Sequence, residues 1–172
     1  MDRKLIVVDN FLDDPDYIRG IALTEFQYTK YHEHVPGVRS SSRAAGDYET
    51  RVTERFEELF NAKIKWNWNN DTFYFQSCDA DTQTWIHRDI GAQWAAILYL
   101  TPDAPYESGT RIYHRVDTND YTQDIAIGNV YNRLVAYRGD IMYHRSMIPG
   151  FGNSLETSRL TQVFFFDIEP NG

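Results

Sequence analysis

From Lys63 onward the chain is a series of short apolar runs separated by turn residues, and this rhythm constrains the fold more than any other feature. Ile64, Trp66 and Trp68 alternate with polar residues. Asn69-Asn70-Asp71 is a turn signal, and Thr72 to Cys78 reads as the hairpin partner. Asp79-Ala80-Asp81 turns the chain again, into a strand over Thr82 to Asp89. Further strands are predicted at about Gln93 to Leu100, Thr110 to Arg115, Val130 to Tyr137, Ile141 to His144 and Leu160 to Ile168. Runs this short and this numerous imply facing sheets, as in a sandwich or jelly roll. The polar interval Val116 to Asn129 reads either as a surface insertion or as a lid over a pocket.

The first third is different. Leu5 to Val8 is a strand, and Asp13-Asp14-Pro15 opens a helix carrying Tyr17, Ile18, Ile21, Ala22 and Phe26 at helical spacing. Gln27 to Asp47 has no clear period and reads as an irregular loop with a short extended piece. A second helix is predicted from about Tyr48 to Asn61, with Val52, Phe56, Leu59 and Phe60 as its apolar stripe. The expected class is mainly β with N-terminal helices, a double-stranded β-helix (jelly roll). At 172 residues one domain is expected, with 1–62 as helical support and 63–172 as the jelly-roll core.

A formal net charge of −8 argues against a nucleic-acid partner, which selects for a basic footprint. The single cysteine, Cys78, excludes an internal disulfide and a cysteine-rich zinc site, and lies in an apolar run as a small buried hydrophobe. No run is long enough to span a bilayer, and the N-terminal apolar run of four residues lacks the form of a signal peptide. A cytoplasmic protein with no membrane partner is the expectation.

The candidate chemistry centres on Trp85-Ile86-His87-Arg88-Asp89-Ile90. In extended chain His87 and Asp89 project to one side and can offer an imidazole nitrogen and a carboxylate oxygen to one metal ion. His144, after the Gly139-Asp140 turn, is the candidate third ligand. Two histidines and a carboxylate on one face of a metal leave positions open, the arrangement that suits non-haem Fe(II). His114 is the alternative third ligand, or a fourth in a multi-histidine site. His32 and His34 read as solvated, with a lesser prospect of lining an entrance, and Arg39 and Arg43 as a solvated basic loop. Arg159 opens the last apolar strand, where a charge is explained either by a buried anion or as an ordinary strand end.

Taken together, His87-Arg88-Asp89, the run Trp94 to Leu100, the Ser108-Gly109-Thr110 turn, His144 and Arg159-Leu160-Thr161 resemble the 2-oxoglutarate- and Fe(II)-dependent dioxygenases, in particular their prolyl-hydroxylase-like branch. The resemblance covers roughly Thr72 to Asp167, with a longer loop than is usual there, Met147 to Thr157, between His144 and Arg159. Asn132 to Asp140 ahead of the distal histidine is similar to bacterial and phage oxygenase-like proteins. The resemblance implies Fe(II) on His87, Asp89 and His144, with O2 and 2-oxoglutarate as co-reactants and no further catalytic side chain. It implies that Arg159 grips the distal carboxylate of 2-oxoglutarate, helped by Thr161 and Tyr99. The implied reaction is hydroxylation of a protein side chain or a small molecule, with release of succinate and CO2. Trp85, Trp94 and Tyr113 are the candidate walls of a substrate pocket, their facing set by strand register. Two other functions fit the same strands: a cupin-like metal enzyme that does not use 2-oxoglutarate, and a non-enzymatic jelly-roll binding or virion-associated protein.

Overall fold

A computed structural model describes residues 4–30 and 32–170. The element order is β1 (Leu5–Val8), α1 (Pro15–Thr24), β2 (Tyr28–Thr29), β3 (Val38–Ser40), α2 (Asp47–Phe60), β4 (Ala62–Trp66), β5 (Phe75–Cys78), β6 (Trp94–Tyr99), β7 (Thr110–Asp117), β8 (Asp120–Ile127), β9 (Leu134–Tyr137), β10 (Tyr143–Ser146) and β11 (Arg159–Pro170). One end of each helix is set by its own residues. Asp14 caps α1 by accepting from the Tyr17 N–H at 3.0 Å, with Pro15 in the first turn. Asn61, at φ 49°, ends α2 in the left-handed conformation that asparagine tolerates. Phe26 falls just beyond α1 yet still packs inward, its ring 5.5 Å from Phe75.

β11 organises the major sheet, whose order is β1-β9-β6-β11-β5-β3-β2 with β4 also paired to β11. One edge of β11 runs antiparallel to β6. Its other edge is shared in tandem, β5 taking Arg159–Gln162 and β4 taking Phe166–Pro170. The predicted hairpin of β4 and β5 is therefore not formed. The asparagine-rich turn is present, but Phe73 at φ 67° sends the chain on along β11 instead of back beside β4. There the Phe73 N–H donates to the Val163 carbonyl at 2.8 Å, and Thr72 Oγ1 accepts from the Phe165 N–H at 3.1 Å.

The minor sheet has the order β10-β7-β8. Its β8 occupies the interval expected to be an insertion or lid: the chain hairpins at Thr118-Asn119 and extends the sheet. Thr82 to Asp89 forms no strand, contributing only an isolated bridge between His87 and His144. Together the sheets make the double-stranded β-helix that the strand rhythm predicted.

The alternation along β6, β9 and β11 divides the interior. Trp94, Ala96, Leu98, Leu134, Ala136, Leu160, Phe164 and Phe166 face α1 and α2. Phe56 of α2 sits at the centre of that layer, fully buried, with its ring 5.1 Å from Trp66, 5.2 Å from Phe164 and 5.3 Å from Phe166. Burying such a side chain stabilises the fold by about 2–3 kcal/mol. The opposite set, Ala95, Tyr99, Val135 and Tyr137, meets Ile112 and Ile127 of the minor sheet.

Candidate functional site

The two sheets diverge on one side of that second layer and leave a cavity of about 610 Å³. His87, Asp89 and His144 lie in its wall, as do Trp85, Arg39 and Arg159. His87 and His144 are fixed by mutual backbone bonds, His87 N–H to the His144 carbonyl at 3.1 Å and the reverse at 2.9 Å. The Asp89 N–H donates to the Gly139 carbonyl at 2.8 Å. A Cβ on Gly139 would collide with Asp89 Oδ2, so this glycine makes room for the carboxylate.

One ligand atom from each of the three residues lies within 4.8 Å of the others. His87 Nδ1 stands 2.9 Å from the Trp85 carbonyl and His144 Nδ1 stands 2.9 Å from that of Met142. A carbonyl can only accept, so both Nδ1 atoms carry protons, and Nε2, which faces Asp89, is the nitrogen left to bind a cation or a further proton. His87 Nε2 is 3.6 Å from Asp89 Oδ1, and His144 Nε2 is 3.4 Å from Oδ2. These are not hydrogen-bond distances, and Asp89 Oδ2 is buried without a hydrogen bond. The three side chains stand close enough together that they could hold a metal ion. Backbone carbonyls bonding the far ring nitrogen are what orient metal-ligating histidines in general.

The closeness of these groups also shifts their titration. Burial pushes the Asp89 carboxyl up, but His144 and His87 outweigh it and hold the group well below the usual carboxylate range. Burial opposes charging of His87, and the Asp89 carboxylate with the Trp85 carbonyl overcomes this and raises it. The cluster therefore favours a full negative charge on Asp89.

Deeper in the cavity, Arg159 is buried at the head of β11. Its Nε donates to the Ser108 carbonyl at 2.8 Å, and its Nη2 is buried with no hydrogen-bond partner. The guanidinium lies 5.4 Å from the Tyr99 ring centroid, and the Tyr99 hydroxyl bonds Thr110 Oγ1 at 2.7 Å. Thr161 is opposite Tyr99 in the sheet and two residues from Arg159, so the three share one face.

Among the pocket walls, Trp85 lines the cavity and is 38% exposed. Trp94 is not a wall: it points to the helices, its ring 4.8 Å from Phe60. Tyr113 is not one either. Its neighbour Ile112 faces inward, so Tyr113 faces out, beneath the Arg145 guanidinium at 6.0 Å. His114 is exposed on the β7–β8 hairpin, opposite Thr122 and outside the ligand cluster. His32 and His34 are exposed, at the cavity rim. Arg43 stays on the surface, over the Trp68 ring at 4.7 Å and paired with Glu49 at 3.3 Å.

Arg39 corrects the solvated-loop expectation, for it is 7% exposed and lines the cavity. The signal was Pro36-Gly37 just before it. Gly37 adopts φ +66°, and a Cβ there would strike the Ser77 carbonyl, so only glycine lets β3 close onto β5 and carry Arg39 inward.

No family model matches the chain, and no curated protein matches it in sequence. Solved structures do share its fold. A prolyl-4-hydroxylase of Pseudomonas putida superposes with a TM-score of 0.57 at 13% identity, covering 98% of this chain and 94% of its own. A prolyl hydroxylase of Trichoplax adhaerens, in complex with a peptide fragment of the hypoxia-inducible factor oxygen degradation domain, gives 0.60 at 13% identity, covering 95% and 84%. The chain thus shares the fold of these prolyl hydroxylases.

Proposed function

We propose that the chain is an Fe(II)- and 2-oxoglutarate-dependent dioxygenase that hydroxylates a bound substrate. The observation that carries this reading is the set of two imidazole nitrogens and one carboxylate converging on a cavity that also contains an arginine with an unpaired buried nitrogen. His87, Asp89 and His144 would hold the metal, and nitrogen and oxygen donors of this kind with open positions suit Fe(II). Bound there, iron would supply the activation of O2 by which 2-oxoglutarate is split into succinate and CO2, one oxygen atom entering succinate and the other a substrate C–H bond.

The chain's own residues bind and orient. Arg159 offers its unpaired Nη2 to the distal carboxylate of 2-oxoglutarate, a charge-assisted bond that would satisfy a nitrogen otherwise buried alone. Thr161 and Tyr99 lie beside Arg159 on the same sheet face, both fully buried, and the Tyr99 ring stands 5.4 Å from the guanidinium, where a cation–π contact helps hold the arginine. Apolar Val163 and Phe165 line the same cavity and limit water near the reacting carbon. Fold likeness alone cannot assign chemistry, so the reading stands on the site.

The test is spectroscopic. Metal-free protein mixed anaerobically with Fe(II) and 2-oxoglutarate should develop a weak visible charge-transfer band that requires both components and is lost in His87→Ala. Iron binding without a cosubstrate-dependent band would favour a cupin-like metal enzyme. Binding of neither would leave a non-enzymatic jelly roll as the better account.

A further inference from the structure

Arg39 is a second cationic group in the cavity, and nothing in the reading above uses it. It sits in a transverse row across four strands: Arg39 of β3 opposite Gln76 of β5, Gln76 opposite Thr161 of β11, and Thr161 opposite Tyr99 of β6. Arg39 is thus at the far end of the row from Tyr99, with the Thr161 position between. It is nine-tenths buried, yet Nε and Nη1 have no hydrogen-bond partner. The nearest carboxylate, Asp71, is 3.8 Å from Nη1, an ion pair too long to contain a hydrogen bond. A buried guanidinium with orphaned donors is costly to the fold unless a ligand completes it.

The surroundings point to an anion. The chain carries a net charge of −8, yet the cavity wall contains Arg39, Arg88, Arg145 and Arg159 against the carboxylates of Asp71 and Asp89. Asp89 belongs to the metal cluster and Arg159 to the cosubstrate, which leaves Arg39 as the most deeply buried positive group in the remaining space, ahead of Arg145, whose Nε is also unpartnered but whose side chain is only partly buried. The planar fork of a guanidinium matches a carboxylate with two parallel bonds. A cavity of about 610 Å³ that also admits 2-oxoglutarate has room for a small molecule beside it.

We infer that the substrate is a small carboxylic acid whose carboxylate sits on Arg39, with its reacting carbon turned toward the His87–Asp89–His144 cluster. This rests on the oxygenase reading and adds the substrate class. Arg39 is then a specificity-determining residue, and Gly37 is the position that allows it to reach the cavity.

The experiment uses protein loaded anaerobically with Fe(II) and 2-oxoglutarate. It is titrated with the twenty amino acids at millimolar concentration, with their carboxamides, and with an acetylated and amidated peptide bearing one glutamate. The visible band is followed, and succinate release is measured after air is admitted. The expected result is that at least one free acid shifts the band and speeds succinate release about tenfold or more over its own carboxamide. Arg39→Gln should lose this discrimination while keeping the band, and Arg39→Lys should keep part of it. The retained band shows that each variant is folded.

Equal response to acid and carboxamide, or no response to any acid, overturns the inference. Response to the glutamyl peptide alone also overturns it, since the carboxylate then belongs to a protein side chain. Loss of the band in Arg39→Gln overturns it by assigning Arg39 to the cosubstrate. Absence of the band from the unaltered protein is instead the failure of the oxygenase reading. In that event thermal stabilisation of the metal-free protein by free amino acids, present in the unaltered chain and abolished in Arg39→Gln, still decides the carboxylate site.

Discussion

The two faces of the major sheet are built from the same strands and have opposite characters. Toward the helices, β6, β9 and β11 present a layer of aromatic and aliphatic side chains in which even the polar groups are matched: the Tyr48 hydroxyl donates to Gln162 Oε1, and Gln162 Nε2 donates to the Phe73 carbonyl at 3.0 Å. Toward the cavity the strands present Arg159, and around it lie Arg39 and Asp89, all with buried atoms that no hydrogen bond satisfies. A period of two lets one strand serve both purposes, since neighbouring residues never share a face. The satisfied face has what stability needs; the other keeps buried polar atoms that the protein itself does not partner.

Substitutions can break this contrast, and the largest effect belongs to the helix face. Phe56→Ala removes a fully buried ring with five aromatic neighbours and should cost about 3–5 kcal/mol in urea unfolding, by lost transfer and a residual cavity. The fraction that stays folded should still develop the iron and 2-oxoglutarate band. A band lost in proportion to folded protein would mean that the two faces are not separable.

On the cavity face the signs reverse. Arg159→Gln should weaken 2-oxoglutarate binding by about 10- to 100-fold, the effect of losing one to two charge-assisted bonds at roughly 1.5–3 kcal/mol. Stability of the unliganded protein should stay level or rise, because a buried cation with an unpaired Nη2 has been removed. Calorimetric titration and urea unfolding read the two halves separately. A variant that is strongly destabilised while keeping its affinity would show Arg159 to be structural, held for its bond to the Ser108 carbonyl.

Tyr48→Phe sharpens the comparison on a smaller scale. Removing the hydroxyl leaves Gln162 Oε1 buried without its donor, a loss of about 1–3 kcal/mol with no effect on cosubstrate affinity. Unfolding and titration of the same variant decide it. A shift in affinity would mean that strain in the helix-side network reaches the cavity through β11.

Legibility followed the range of the interactions. α2 was readable because its stripe and its termination are local, and Trp94 to Leu100 announced a strand by composition alone. The facing of Trp94 was not readable, for it depends on which residue of β11 lies opposite, and Phe166 was 72 positions away. The hairpin over Asn69-Asn70-Asp71 was expected on good turn chemistry, and the positive φ of Phe73 overrode it. His87 and Asp89 share a side even without a strand between them, because a single bridge to His144 imposes extended geometry at that point. Arg39 was missed because its burial is decided by a close approach at Gly37, which shows in sequence only as an ordinary Pro-Gly turn.

Cys78 gives the mildest test, for it stands where the two characters meet. It is opposite Arg159 in the sheet, lines the cavity and is 1% exposed. Burial pushes its thiol above the usual range, partly offset by the positive charges of Arg159 and Arg39. The neutral thiol is therefore favoured in the folded state. Its contribution to stability is complete below the thiol pKa of the unfolded chain, about 8.5, and is lost as pH rises from there through the higher folded value. Unfolding measured from pH 7 to pH 10 should thus lose stability above pH ~8.5 in the native protein, and less in Cys78→Ala once both are referred to pH 7. Addition of 2-oxoglutarate should slow alkylation of the thiol by up to about tenfold, because a carboxylate on Arg159 cancels the charge that stabilises the thiolate and covers the sulfur. Alkylation indifferent to 2-oxoglutarate would place the cosubstrate away from Arg159, and Arg39 would become the better candidate to hold it.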